Sequence, residues 1–325
     1  MAVLWNKISK INMDNTFAQD VIKGLTSKDK YLPSKYFYDD NGSRIFQEIM
    51  QMPEYYPTNS EFEILSLQAK QIIDKLEFSE PFNIIELGAG DGFKTFKLLE
   101  YLVSKEIDFT YMPIDISKEA NKILEARLKQ RLPKLSIKPK TGDYFEVLKK
   151  IGKKNTPNLL LFLGGNIGNY PKDQAIDLLK ILNGNMNRGD KLLIGMDLRK
   201  NPITIHNAYY DSNGITKRFN INLLIRINRE LNADFKVDDF DFYSYYNPEN
   251  GKVKSYLVSL KAQTVDFKQI GKTINFNQNE LIWTELSKKY NSSEIETMAK
   301  LTNFKVNHNF MDCKHYFTDS LWEKK

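Results

Sequence analysis

Between Asn83 and Met196, short apolar runs alternate with stretches of helical period, and this alternation constrains the fold more than any other feature of the chain. Asn83–Leu87, Thr110–Ile116, Leu159–Leu163 and Lys191–Met196 read as strands, with Leu135–Lys140 as a further one. The unbroken apolar run Leu159–Leu163 predicts burial on both faces. Helical stretches lie between them at Phe93–Leu102, from a Ser117 cap to Leu132, where Pro133 stops it, and at Lys172–Leu182. Repeats of this length predict an α/β fold, a parallel sheet with helices on both sides. There are too few units for a closed barrel, so the expectation is an open, doubly wound sheet.

The flanks have a different rhythm. Tyr31–Thr58 is a polar, aromatic, proline-marked loop, and from Glu61 the residues Phe62, Leu65, Ala69, Ile72 and Leu76 mark an amphipathic helix. Residues 200–236 read helical. Phe240–Tyr246 and Lys252–Leu260 read as strands around the turn-rich Asn247–Gly251. Glu280–Tyr290 reads as a helix, and Lys305–Met311 with His315–Leu321 as a closing antiparallel pair. These shifts predict a sheet domain of residues 61–199 plus 284–325. A second lobe of 1–60 plus 200–283 is expected to lie over the sheet's carboxyl edge.

Composition narrows the function. The 47 Lys and Arg exceed the 41 Asp and Glu by only 6, with no block of like charge, so a nucleic-acid partner is not expected. The single Cys313 cannot form an intrachain disulfide, and no Cys/His group has zinc-ligand spacing, so no metal is expected. His206, His308 and His315 fit no metal site or triad, and no G-x-S-x-G string suggests a hydrolase. No apolar run approaches the roughly 20 residues of a membrane span, and no leader pattern is present. A cytoplasmic monomer acting on a small molecule is the expectation.

The chemistry is concentrated in the loops that follow the strands. Glu86-Leu87-Gly88-Ala89-Gly90-Asp91-Gly92 leaves the first strand and opens a helix. Its G-x-G-x-G spacing lacks the third glycine position that a pyrophosphate needs, and suits S-adenosylmethionine, which has none. Asp115 ends the second strand, where an acid accepts hydrogen bonds from ribose hydroxyls. Gly142-Asp143-Tyr144 follows the third and could face an adenine. One glycine triplet alone is equally a tight strand–helix turn. Three such elements, each just past a strand, favour a cofactor site.

Longer strings resemble the histidine-specific methyltransferase family of the ergothioneine type. They include Leu32-Pro33-Ser34-Lys35-Tyr36-Phe37-Tyr38-Asp39, Gly42-Ser43 with Phe46, Pro53-Glu54-Tyr55-Tyr56-Pro57-Thr58, Phe162-Leu163-Gly164 with Ile167-Gly168-Asn169, Asn228-Arg229-Glu230-Leu231 and Thr284-Glu285-Leu286-Ser287. The resemblance implies a Rossmann-like class I methyltransferase sheet with a second, substrate-binding lobe. It implies that Gly88, Lys94, Asp115, Asp143 and Tyr144 contact S-adenosyl-L-methionine. It also implies that Asn169 and Tyr209 hold the amino-acid end of the substrate, that Tyr55, Glu285 and Ser287 line its side-chain pocket, and that Tyr38, the one candidate catalytic residue, lies near the reacting amine. The family's histidine enzymes place a methionine beside the pocket where this chain has Ser255. Some relatives methylate tryptophan derivatives, so an indole substrate is an alternative, with a nucleic-acid methyltransferase or a catalytically inert binding protein as rivals.

Read without the resemblance, Glu285 is better taken as an exposed helix glutamate, Asn169 is equally a turn former, and Tyr209 is a packed surface aromatic. With it, Glu285 can accept from an imidazole N–H while Ser287 meets the other nitrogen. A pocket built on such bonds rejects analogues lacking them by up to ~10⁴–10⁵. Methyl transfer to the α-amine of histidine is the expected activity, with water or Tyr38 taking the proton.

Overall fold

The structure, a computed structural model, describes residues 16–142, 144–151 and 156–325. The chain divides into two compact units, one ending at Tyr55 and resuming over Asn201–Ser287, the other comprising Tyr56–Lys200 and Lys288–Lys325.

The second of these units is built on strands β1 (Phe82–Leu87), β2 (Phe109–Asp115), β3 (Lys140–Thr141), β4 (Asn158–Phe162) and β5 (Lys191–Asp197). Two later strands, β11 (Phe304–Met311) and β12 (Phe317–Lys324), complete a seven-stranded sheet of order β11-β12-β5-β4-β1-β2-β3. β1 through β5 run parallel, and β12 closes antiparallel on β5. The doubly wound α/β fold follows from this order, which reverses between β1 and β4. Every residue of β4 and β5 is buried, because each strand has a neighbour on either side and apolar clusters cover both faces of the sheet.

The other unit carries a three-stranded sheet of order β10-β7-β6, from β6 (Phe240–Asn247), β7 (Lys252–Ser259) and β10 (Leu281–Lys288). A separate hairpin, β8 (Gln263–Phe267) with β9 (Lys272–Phe276), accompanies it. Helix Ile215–Leu231 packs its Phe219, Leu223, Leu224 and Ile227 into the same apolar cluster as Phe37, Ile45 and Leu257. The Asn247–Gly251 turn forms as its residues dictate, with Gly251 at φ +68°, a left-handed conformation open to glycine.

Several expectations are corrected. Glu280–Tyr290 is not a helix. Its core is β10, because alternating burial of Ile282, Thr284 and Leu286 lets the segment join the sheet beside β7. Thr284–Ser287 therefore belong with the first unit, and residues 56–60 with the second, as the start of helix Tyr56–Leu67. That helix breaks at Gln68 before Ala69–Asp74 instead of running on to Leu76. The third strand is only Lys140–Thr141, reached after a single bridge from Ile137 to Tyr111, and the β8–β9 hairpin was not anticipated. Among the described residues no helix is long and apolar enough to cross a membrane.

Candidate functional site

The sheet unit offers a row of loops along one edge. Gly88 follows β1, Asp115 ends β2, Gly142 follows β3 and Asn169 lies beyond β4, so all stand at carboxyl ends of parallel strands. Gly88, Gly90 and Gly92 have φ values of +71°, +56° and +67°. At Gly92 a side chain would also come within 2.6 Å of Leu124, so glycine is required there on two grounds. The loop is anchored beneath by Glu86, whose buried carboxylate accepts from Thr95 Oγ1 (2.6 Å) and Tyr111 Oη (2.5 Å). Burial pushes the Glu86 carboxyl above its usual range, against those two bonds.

Lys94 ends the glycine loop, and its ammonium pairs with Glu61. The same Glu61 carboxylate accepts the Gly164 amide at 2.6 Å, tying the loop after β1 to the loop after β4 across the point where strand order reverses. Asp115 Oδ1 accepts from the Ser117 amide at 2.7 Å, and its carbonyl accepts from Gly142. Asp143 lies outside the described residues, and Tyr144 opens helix Tyr144–Ile151. Asn169 closes the 3-10 turn Asn166–Asn169, half-buried. Next to it Gly168 must lack a side chain, since a Cβ there would stand 2.7 Å from the Lys288 carbonyl.

S-adenosylmethionine fits this edge. The glycine bend leaves main chain bare for a ligand, and a partly accessible ammonium has N–H donors beyond the one Glu61 uses. The Asp115 carboxylate has a second oxygen for a ribose.

The other unit gathers the remaining candidates. Tyr38 packs edge-on against Phe46 (5.4 Å, 81°) and Phe219 (5.7 Å, 64°). Phe46 meets Tyr55 at 6.3 Å, and Tyr55 meets Tyr209 at 6.1 Å. The Tyr209 and Ser287 hydroxyls are hydrogen-bonded at 2.9 Å. On β10, Glu285 and Ser287 are two residues apart and so share a face. The helix expected there would have turned them away from each other. Tyr38 is 47% exposed by surface, yet surrounding protein desolvates its hydroxyl. That desolvation, with the nearby Glu285 and Tyr209, raises the phenol well above its ordinary value. The structure thus brings Tyr38, Tyr55, Tyr209, Glu285 and Ser287 into one neighbourhood. Ser255 lies buried on β7 opposite Ser244.

Behind Tyr38, the Asp39 carboxylate caps helix Asp40–Met50 through the Gly42 amide and also accepts from Asn222 (2.7 Å) and Arg229 (2.6 Å). Although burial opposes it, these three donors hold the Asp39 carboxyl below its usual value. Gly42 has no alternative, since a Cβ would stand 1.8 Å from the Phe37 carbonyl.

Sequence reading passed over Glu61 and Asp319. Glu61 had a signal, since it stands three and four residues before the buried Ile64 and Leu65 and therefore on the apolar side of its helix. Asp319 had none. Among the described residues no group of His, Cys, Asp and Glu could hold a metal ion. A groove of about 550 Å³ at the amino ends of β4 and β5, lined by Pro157, Asn187 and Lys191 among others, lies at the wrong edge for a ligand of this sheet.

Residues 17–324 match the family model described as a histidine-specific, S-adenosylmethionine-dependent methyltransferase. The chain is 32% identical over 292 residues to the histidine N-alpha-methyltransferase of Mycolicibacterium smegmatis, covering 90% of both chains. It is 34% identical over 272 residues to the enzyme of the same name from Mycobacterium tuberculosis, covering 84% of each. The L-tryptophan methyltransferase of Psilocybe serbica is 28% identical over 323 residues, covering 90% of this chain and 89% of its own.

Proposed function

The chain belongs to the histidine-specific, S-adenosylmethionine-dependent methyltransferase family, and from that premise we propose that it methylates the α-amine of L-histidine, with Glu285 and Ser287 reading the imidazole. The observation that carries the assignment is their common face on β10, with Ser287 tied to Tyr209. A carboxylate and a hydroxyl so arranged offer an acceptor for one imidazole nitrogen and a versatile partner for the other. An indole has a single N–H and no second ring nitrogen, so it can engage only one of them.

S-adenosylmethionine supplies an electrophilic methyl group on a sulfonium. Lys94 would hold its amino-acid end and Asp115 its ribose, with the Gly88 bend leaving main chain open to it; Asp143 and Tyr144 are assigned to the adenine. Asn169 and Tyr209 bind the amino and carboxylate groups of histidine, and Tyr55 bounds the side chain. The amine must lose a proton before it can attack in line. Tyr38 would stand near that nitrogen, and the proton leaves to water or to the Tyr38 hydroxyl. Most of the rate then comes from alignment, worth roughly 7–11 kcal/mol when two reactants are held at near-attack distance.

The test is mass spectrometry of an amino-acid panel incubated with S-adenosylmethionine. Histidine should gain one to three methyl groups, and turnover of tryptophan but not histidine would defeat the reading. Ser255, standing where the family's histidine enzymes carry methionine, is the feature that favours the indole alternative. A cytoplasmic monomer with no affinity for nucleic acid completes the proposal; gel filtration and a salt-dependent RNA-binding assay check its last two parts.

A further inference from the structure

The Glu61 carboxylate lies against Gly195 of β5, close enough that a Cβ on that residue would stand 2.3 Å from Glu61 Oε1. Gly195 is paired across the strands with Asp319 of β12. The missing side chain at Gly195 therefore makes room for one acid beside another. Both are fully buried, and neither oxygen of Asp319 has a hydrogen-bond donor among the described residues. Two ionised carboxylates cannot share such a place, since each only accepts hydrogen bonds and their charges repel. A single proton resolves it by letting Asp319 donate to Glu61. Desolvation first, and then the charge of Glu61, push the Asp319 carboxyl well above its usual range, with Lys94 opposing. The third acid nearby, Glu86, is already satisfied by its two hydroxyl donors.

We propose that a protonated Asp319 donates to Glu61, and that the two act, through the Lys94 ammonium and the Gly164 amide, as positioning residues for the amino-acid end of S-adenosylmethionine. The protonated Asp319 fixes the rotamer of Glu61. Glu61 then carries one negative charge, which balances Lys94, holds its ammonium at the junction of two loops and leaves its remaining N–H donors for a carboxylate. Placing two ionised acids there would over-neutralise Lys94 and repel the same ligand. The inference rests on the assignment of Lys94 to the cofactor, so the test separates the two.

Infrared spectroscopy of the full chain at neutral pH, with ¹³C-aspartate labelling to assign the band, should show a protonated aspartic acid. That band should vanish in Asp319→Asn. Because an amide donates the same bond at the same net charge, S-adenosylhomocysteine should bind Asp319→Asn within about 2-fold of the parent in calorimetry. Asp319→Val, lacking the donor, should bind at least 5-fold more weakly, and Glu61→Gln at least 10-fold. Absence of the band, or a 10-fold loss in Asp319→Asn, overturns the proposal. Unchanged binding in Lys94→Met would instead remove the cofactor assignment of Lys94, and the positioning role with it, while the band persisted. The wild-type band does not depend on any variant folding.

Discussion

Lys200 and Asp197 form an ion pair at the carboxyl end of β5 with Nζ and Oδ1 2.5 Å apart and only 4% and 5% of their side chains exposed. Asp197 does not serve Lys200 alone. Its other oxygen pairs with the fully buried Lys289 at 2.7 Å, and Tyr56 Oη donates to it as well. One carboxylate thus serves two buried ammonium groups. Removing it in Asp197→Ala takes a carboxylate partner from both and should cost about 3–5 kcal/mol. Lys200→Met, which leaves a one-to-one pair, should cost far less or nothing. Urea melts at pH 7 compare them, and equal losses would refute the shared-charge account.

The burial of Lys200 also sets a pH dependence. Burial, opposed by Asp197, lowers Lys200 from 10.5 to about 8. Below pH 8 the folded and unfolded states both carry the proton, and the cost of the buried charge is fully present. Between 8 and 10.5 the unfolded chain binds more protons, so the contribution of Lys200 to stability rises with pH, by on the order of 3 kcal/mol in all. Wild type should therefore gain on Lys200→Met between pH 7 and 10.5 in parallel melts. A constant gap would contradict the depressed value.

Tyr38→Phe should lower kcat by about 2- to 10-fold, the scale of one neutral hydrogen bond. The pH–rate profile should keep its shape, because a phenol raised by desolvation contributes no ionisation near pH 7. Loss of an alkaline limb in the variant would make Tyr38 the base.

Glu285→Gln should raise KM for histidine and reduce kcat/KM by roughly 10- to 150-fold, corresponding to a charged hydrogen bond of about 1.5–3 kcal/mol. Activity on indole amino acids should not fall in parallel. Equal histidine turnover in the variant would take Glu285 out of the pocket.

Gly92→Ala tests the glycine bend. It imposes φ +67° on a side chain that must also displace Leu124. S-adenosylhomocysteine should bind at least several-fold more weakly by calorimetry, with a loss of stability of about 1–3 kcal/mol.

The parallel strands were legible because β4 and β5, covered on both faces, must be apolar throughout. The Ser117 cap and the Asn247–Gly251 turn were legible because they depend on residues within one turn of themselves. β10 was not, since local sequence permits a helix at Leu281–Lys288 and pairing beside β7, distant in sequence, decides otherwise. Glu285 and Ser287 acquire a common direction only through that pairing.

By itself the sequence determined the α/β layering and the loops at the strand ends, because periodicity and glycine conformation act over a few residues. Only the tertiary structure decided that Asp319 would face Glu61 across Gly195 and that Asp197 would answer two lysines. Asp319 lies more than two hundred residues from Glu61 and Asp197 about ninety from Lys289, and the charge state of such acids depends on the desolvation and neighbours that folding brings.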